Sequence, residues 1–409
     1  MVQESNLSRG VTILKKRIRI SLVILFIFIG GIIYVLKDSV PPSSNMTKND
    51  REEMPVYESE DMVKKNDIKS EAAPAGSVQN YPIKNNEFVS TFITASYINN
   101  TLIAFEYDQS EEAQSSIGVM NRGEETFNKI YDAPNKKIIN SLVGVKDNLY
   151  WVEYNRSNEK KKEWEIKTLH LDTKQVKVVD QGYLDLELQP PVLRMEDNMV
   201  TWIKKTIEDK IITSSLVVFD PIKGKMDTIA SEQLNDQSDK RDGIFMVLQR
   251  PVKEGILVQQ TSFNKESASA DDKQIEIVFY PYDLSQKSKI LKEGTGVVDF
   301  TADDKWFVWT EIGKLYVADK NSGEIKHFIE AQDKDLTLDT PFIRGNKLYY
   351  RYSMYQIFSL DLESGKVLEI SSHQLTTSKL FNSENYLGFS VMDPLKHEGE
   401  AQLNVIELN

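Results

Sequence analysis

The chain has 409 residues, 40% of them hydrophobic, a formal net charge of −12 and no cysteine. That is long enough for several domains or one large repeat fold, and apolar enough to bury a core. The missing cysteines exclude disulfides, thiolate metal sites, a cysteine nucleophile and a lipid-modified cysteine, and the acidic balance argues against general electrostatic binding to nucleic acid or an anionic bilayer surface.

Residues 1–19 are polar and basic, and Ile20 to Leu36 is an almost unbroken apolar run. Arg9, Lys15, Lys16, Arg17 and Arg19 against Glu4 give residues 1–36 a charge of +4, so the rest carries −16. As a helix the run spans about 26 Å, at the lower edge for a bilayer core, and a snorkelling Arg19 extends its reach. Nothing upstream can pack around it as a core helix would require. A cleaved signal peptide is the rival reading. The length of the run, and the lack of a small-x-small site in Tyr34 to Asp38, favour an uncleaved anchor. The positive-inside rule then places residues 1–19 in the cytoplasm and the body outside, as a single-pass protein of the cell membrane. A large cysteine-free ectodomain leans bacterial; the sequons at Asn45, Asn99 and Asn155 then carry no meaning.

Residues 37–80 are charged, punctuated by Pro41, Pro42, Pro55 and Pro74, and show no apolar period. They read as a disordered stalk, long enough to set the body on the order of 35 Å from the membrane.

From about Phe88 onward the pattern changes to short β-type runs, and the propeller is assigned to residues 81–409. Seven copies of one unit recur. Each opens on a polar turn followed by a strand: Asn99 to Leu102, Asp147 to Leu149, Asp197 to Met199, Lys253 to Ile256, Asp303 to Trp306, Gly345 to Leu348 and Glu384 to Tyr386. A second strand follows and usually ends in Asp, as at Asp172, Asp220, Asp283, Asp319 and Asp361. In three units a glycine stands four residues later, Gly224, Gly323 and Gly365. Asp opening a turn and Gly in a left-handed position describe a hairpin with a bulge.

Four strands per unit, at spacings of about forty to fifty residues, describe an all-β fold, a β-propeller of seven blades with six as the alternative count. Strands such as Leu149 to Tyr154 are apolar at both odd and even positions. A sheet with one wet face would alternate, whereas a blade has neighbours on both faces. The last unit stops at its third strand, Gln402 to Asn409. The missing outer strand is expected from residues 77–90, which would close the ring and cover an open edge.

The turn-plus-strand motif, in Asp147-Asn148-Leu149-Tyr150-Trp151, Asn346-Lys347-Leu348-Tyr349-Tyr350 and Gly313 to Asp319, resembles the YWTD-like and TolB-like propeller families. The Tyr-Trp-Thr-Asp tetrapeptide itself does not occur. The resemblance spans about 320 residues as a repeat pattern, and implies a propeller fold with a protein-binding habit.

No catalytic, cofactor or metal site emerges. His170, His327, His373 and His397 show no ligand spacing and no HExxH occurs. Gly-x-Ser-x-Gly and phosphate-cradling glycine loops are also absent. Asp236, Asp239 and Asp242 before Gly243 are spaced by three, whereas a compact calcium cage wants two, so they read as a solvated acidic loop. Asp271-Asp272 and Asp303-Asp304 read as turns. Lys160 to Lys162 read as a loop between strands. Trp151, Trp164, Trp202, Trp306 and Trp309 read as inter-blade packing. The expectation is a non-enzymatic binding or scaffolding module of the cell envelope, with an envelope protein or glycan as partner and no nucleic acid. The alternatives are an envelope hydrolase or lyase with its site at the channel, and a signalling sensor or sigma-factor regulator.

Overall fold

The computed structural model describes residues 71–408 with short interruptions, chiefly 73–77, 109–114, 156–160, 264–272 and 393–397. The tail, the apolar run 20–36 and most of the stalk lie outside the described residues. Among those described, no helix is long and apolar enough to cross a membrane.

The described residues form seven units of four antiparallel strands, at 95–132, 137–185, 194–237, 240–293, 299–330, 338–372, and 376–407 together with 78–89. They are blades one to seven of a β-propeller. Blades three and four share one eight-stranded sheet, because Leu234–Gln237 pairs with Lys240–Gly243.

The strands are apolar at both parities because both faces are covered. In Asn148–Asn155 five consecutive residues, Leu149 to Glu153, are buried, and in Trp306–Glu311 the first five are. The core is correspondingly divided. Seven apolar clusters each join one blade to the next, and all five tryptophans are buried within them. One cluster packs Tyr386, Leu403 and Val405 of blade seven against Ile98, Ile103 and Phe105 of blade one, so the ring is closed. Between blades one and two the approach depends on a glycine. A Cβ on Gly144 would lie 2.3 Å from the Tyr97 ring, whose hydroxyl donates to the Lys146 carbonyl at 2.7 Å.

Closure uses the N-terminal strand. Val78–Val89 pairs antiparallel with Glu398–Glu407, Val78 opposite Ile406 and Lys84 opposite Glu400, as the outer strand of blade seven. Val78 to Asn80, at the end of the segment read as stalk, already belong to this ladder. Glu71–Ala72 lies parallel to Val367–Ser372, on the outer edge of blade six.

The turns follow the expected chemistry. Gly224, Gly323 and Gly365 have φ of 64°, 74° and 71°. Asp319 Oδ1 accepts the N–H groups of Asn321 and Ser322, and the Gly323 N–H closes on the Asp319 carbonyl at 2.9 Å. In blade two the turn opens on His170 rather than on Asp172. The strand ends at His170, whose Nδ1 accepts the Asp172 N–H at 3.2 Å, and Lys174, with φ 56°, stands where other blades have glycine. An imidazole nitrogen two residues from the N–H it accepts does the work of the Asp carboxylate.

Candidate functional site

Each inner strand begins at one mouth of the channel and ends in the turn at the other. The strand is irregular in several blades, with register shifts at Asn140/Val143, Met246/Leu248 and Asp339/Phe342. A bulge frees backbone groups from the ladder, and these need partners. The neighbouring blade supplies them. Glu106 of blade one accepts the Leu142 N–H of blade two at 3.2 Å. Ser141 Oγ accepts Leu193 N–H at 3.0 Å, Ser214 Oγ accepts Met246 N–H at 3.1 Å, and Asp299 Oδ2 accepts Thr340 N–H at 3.0 Å. Ser141 and Thr340 hold φ of 54° and 50°, unfavourable for any residue with a Cβ and most so for β-branched Thr. Their side chains face the next blade's freed amides, Thr340 Oγ1 accepting Leu380 N–H at 3.4 Å.

Glu106 carries a pH dependence. Burial, with the nearby Asp108 charge, lifts its carboxyl to about 7 against the lowering pull of the Leu142 amide. A carboxyl raised in the folded state adds stability that is complete below its unfolded value near 4.5 and is lost as pH climbs through 7. Glu106→Gln should therefore flatten urea-unfolding stability between pH 4.5 and 7.5. The wild-type loss from this group is about 1–2 kcal/mol after discounting for its partial exposure. A variant with the wild-type slope would refute the assignment.

The channel gathers charge that the sequence scatters. The inner strand of blade three, Arg194–Glu196, carries Arg194 and Glu196 at alternate positions, hence on one face, while Leu193 and Met195 pack into the cluster toward blade two. Arg250 of blade four donates to Asp299 Oδ1 of blade five at 2.8 Å. Burial pushes the Asp299 carboxyl up, but the charges of Arg250, Arg194 and Lys379 outweigh it and hold the carboxyl below its ordinary value. At the turn end, Asn382 Nδ2 of blade seven donates to Glu196 Oε2 at 3.2 Å. Blades three and seven are not neighbours, so this bond crosses the channel. Burial and Asp197 lift Glu196 to about 7, opposed by Arg344, Asn382 and Arg250. Val192 and Val298, just before the inner strands of blades three and five, and Val247, within that of blade four, are 41%, 40% and 43% exposed.

A second polar cluster, between blades one and two, is saturated. The buried Glu153 accepts Lys167 Nζ at 2.7 Å and the Tyr131 hydroxyl at 2.6 Å, and pairs with Lys137 at 3.2 Å. Its charges are matched, which is the requirement for burying them.

The residues weighed from sequence take structural places. His327 Nε2 lies 2.8 Å from the Leu362 carbonyl, between blades five and six. Asp303 Oδ1 accepts Lys305 and Trp306 N–H, as a turn opener does. Asp236 and Asp242 sit on the hairpin that fuses blades three and four, opposite Arg241 and Asn235. Lys161 and Lys162 are strand residues, paired with Asp185 and Leu184, rather than loop residues. His373, His397, Asp239, Asp271, Asp272 and Lys160 lie outside the described residues. Among the described residues no three His, Asp or Glu are placed to hold a metal.

No sequence family matches the chain, and no curated protein does. Solved structures do. The β-propeller domain of the Trilobed protease from Pyrococcus furiosus, described as having an open velcro topology, superposes with a TM-score of 0.51 at 11% identity over 76% of this chain and 95% of that one. YCF48 bound to D1 peptide gives 0.46 at 9%, over 83% and 97%, and Saccharomyces cerevisiae Sqt1 gives 0.43 at 9%, over 80% and 100%. The first of these likenesses establishes the propeller fold independently of strand order, and at such identity it speaks to fold alone.

Proposed function

We propose that this propeller is a binding module of the bacterial cell envelope, anchored through residues 20–36 and presented outside the membrane on the 37–80 stalk. The observation that carries the binding reading is the charged channel, with exposed valines, Val192, Val247 and Val298, close in sequence to its Arg194, Arg250 and Asp299. Ligand sites pair apolar walls with a few convergent polar groups, and exposed apolar residues on three adjacent blades are what a partner would cover. The tether supports the orientation. Both N-terminal strands lie on outer blade edges, so the described chain meets the ring at its rim. Kinship with YWTD-like or TolB-like propellers is part of this proposal and rests on the turn-plus-strand motif.

Cross-linking in intact cells, followed by affinity purification and mass spectrometry, tests it. The expected result is one dominant envelope protein, lost when Val192, Val247 and Val298 are changed to Asp. Loss of binding on changing the opposite face instead, or no enriched protein, overturns it.

A second reading, an envelope hydrolase or lyase, is favoured by Glu196. A carboxyl lifted to about 7 beside the Arg344 and Arg250 charges is the kind of group that serves as an acid or base near neutral pH. Hydrolase and lyase screens of the wild type against Glu196→Gln separate the two readings.

A further inference from the structure

The described arginines differ in one respect. Arg122 donates to Tyr81, Gln79 and the Asn99 carbonyl, Arg250 to Asp299, Arg344 to Asn385, and Arg351 to Asp339 and the Thr377 carbonyl. Arg241 stacks on Phe263. Arg194 hydrogen-bonds to none of the described residues, and its Nε is buried without a partner. A guanidinium has five N–H donors and no way to lose its charge in water, and leaving a buried donor unmade costs more than a bond returns.

The surrounding charge does not compensate it. Asp299 is the carboxylate that acts on Arg194, and it is shared. Its Oδ1 accepts Arg250 and the Phe300 N–H at 2.9 Å, and its Oδ2 accepts Thr340. Arg250 and Lys379 draw on the same carboxylate. Three cations thus surround one anion. Burial and the like charge of Arg250 together press Arg194 down to about 10 against the pull of Asp299. Glu196, two positions on, has its carboxyl lifted to about 7, so near neutral pH it carries only part of a negative charge.

This excess of positive charge stands in a chain whose residues 37–409 carry −16, so general composition does not account for it. We infer that Arg194 is an anion-binding residue, and that the channel takes a carboxylate carried on an apolar group. The guanidinium fork matches a carboxylate bidentately. Val192, two residues before Arg194, and Val247 and Val298, which lie close in sequence to Arg250 and Asp299, are exposed and offer apolar surface for what the carboxylate is attached to. Two sources offer this chemistry, a small branched-chain acid and the free C-terminus of an apolar peptide. The inference rests on the channel being the binding site.

The test uses the full chain in detergent, by thermal unfolding and calorimetric titration. The probes are 4-methylpentanoate, inorganic phosphate, and a short valine-ended peptide as free acid and as C-terminal amide. The wild type should be stabilised by 4-methylpentanoate or by the free-acid peptide, with the amide at least tenfold weaker than the acid. The acid that binds more tightly identifies the source. Arg194→Met should bind at least tenfold more weakly, while its melting temperature without ligand is unchanged or higher, since an unpaired buried charge has been removed. Lys223→Gln, an exposed pair with Asp220, should bind as the wild type does. Three results overturn the inference: no binding of either acid, binding of phosphate alone, or an Arg194→Met variant that melts lower yet keeps wild-type affinity. If cells still yield the cross-linked partner while the titrations fail, the binding-module reading stands and the carboxylate assignment falls.

Discussion

Deleting residues 78–89 should lower the stability of the protein by about 5–10 kcal/mol, most of what a typical chain has. The deletion removes the outer strand of blade seven along the length of Glu398–Glu407. It takes out the fully buried Ile83 and the largely buried Tyr81, worth about 1.5–3 kcal/mol each by burial, and a ladder whose bonds contribute about 0.5–1.5 kcal/mol apiece. The strand also ties blade seven to blade one. Arg122 donates to Tyr81 Oη at 3.2 Å and Gln79 Oε1 at 2.7 Å while lying 4.6 Å over the Tyr386 ring. Losing it strips that clamp and bares an edge that invites aggregation. Urea unfolding of the deletion variant beside the intact chain measures the effect. A variant that unfolds at the same midpoint would show that the ring closes without this strand. Ile83→Asp alone should cost about 3 kcal/mol or more, through the same face.

Closure was legible because an architectural rule acts on local sequence. The repeat after Glu384 to Tyr386 lacks an outer strand of its own, and Val78–Val89 supplies it. The turns were legible for a similar reason: Asp361 and Gly365 carry their geometry in residue type alone. His170 was not, because an imidazole can replace a carboxylate as acceptor and nothing in the spacing shows it. The channel was not legible at all. Arg194, Arg250, Asp299 and Lys379 come from four blades, and the inner strands that hold them are short or irregular. Arg194–Glu196 is only three residues long and has no period to read. Ring closure, acting over nearly two hundred residues, brings these charges together. The expected outer-strand exchange and the channel charge therefore depend on one event, and the second is visible only once the first is built.

The largest effect of a single substitution is expected at Arg351. This residue and Asp339 are both buried in blade six, and they meet in a two-pronged pair, Nε to Oδ1 at 2.8 Å and Nη2 to Oδ2 at 2.6 Å. The third arm, Nη1, donates to the Thr377 carbonyl of blade seven at 2.8 Å, so the pair also ties the two blades together. Arg351→Met should cost about 3–5 kcal/mol, because it leaves the Asp339 charge buried without its cation. Asp339→Leu should cost a similar amount by stranding the guanidinium. The double variant discriminates. If the loss comes from an orphaned charge, removing both partners should recover most of it, and the coupling in a double-mutant cycle should exceed 2 kcal/mol. Additive losses would mean that each side chain acts by itself, Arg351 through the Thr377 carbonyl and Asp339 through its own strand. The contrast with Arg194 is then physical: one guanidinium in this ring has every arm matched by the protein and can be removed only at a loss, while the other bonds to none of the described residues, its buried Nε included, and should be removable without one.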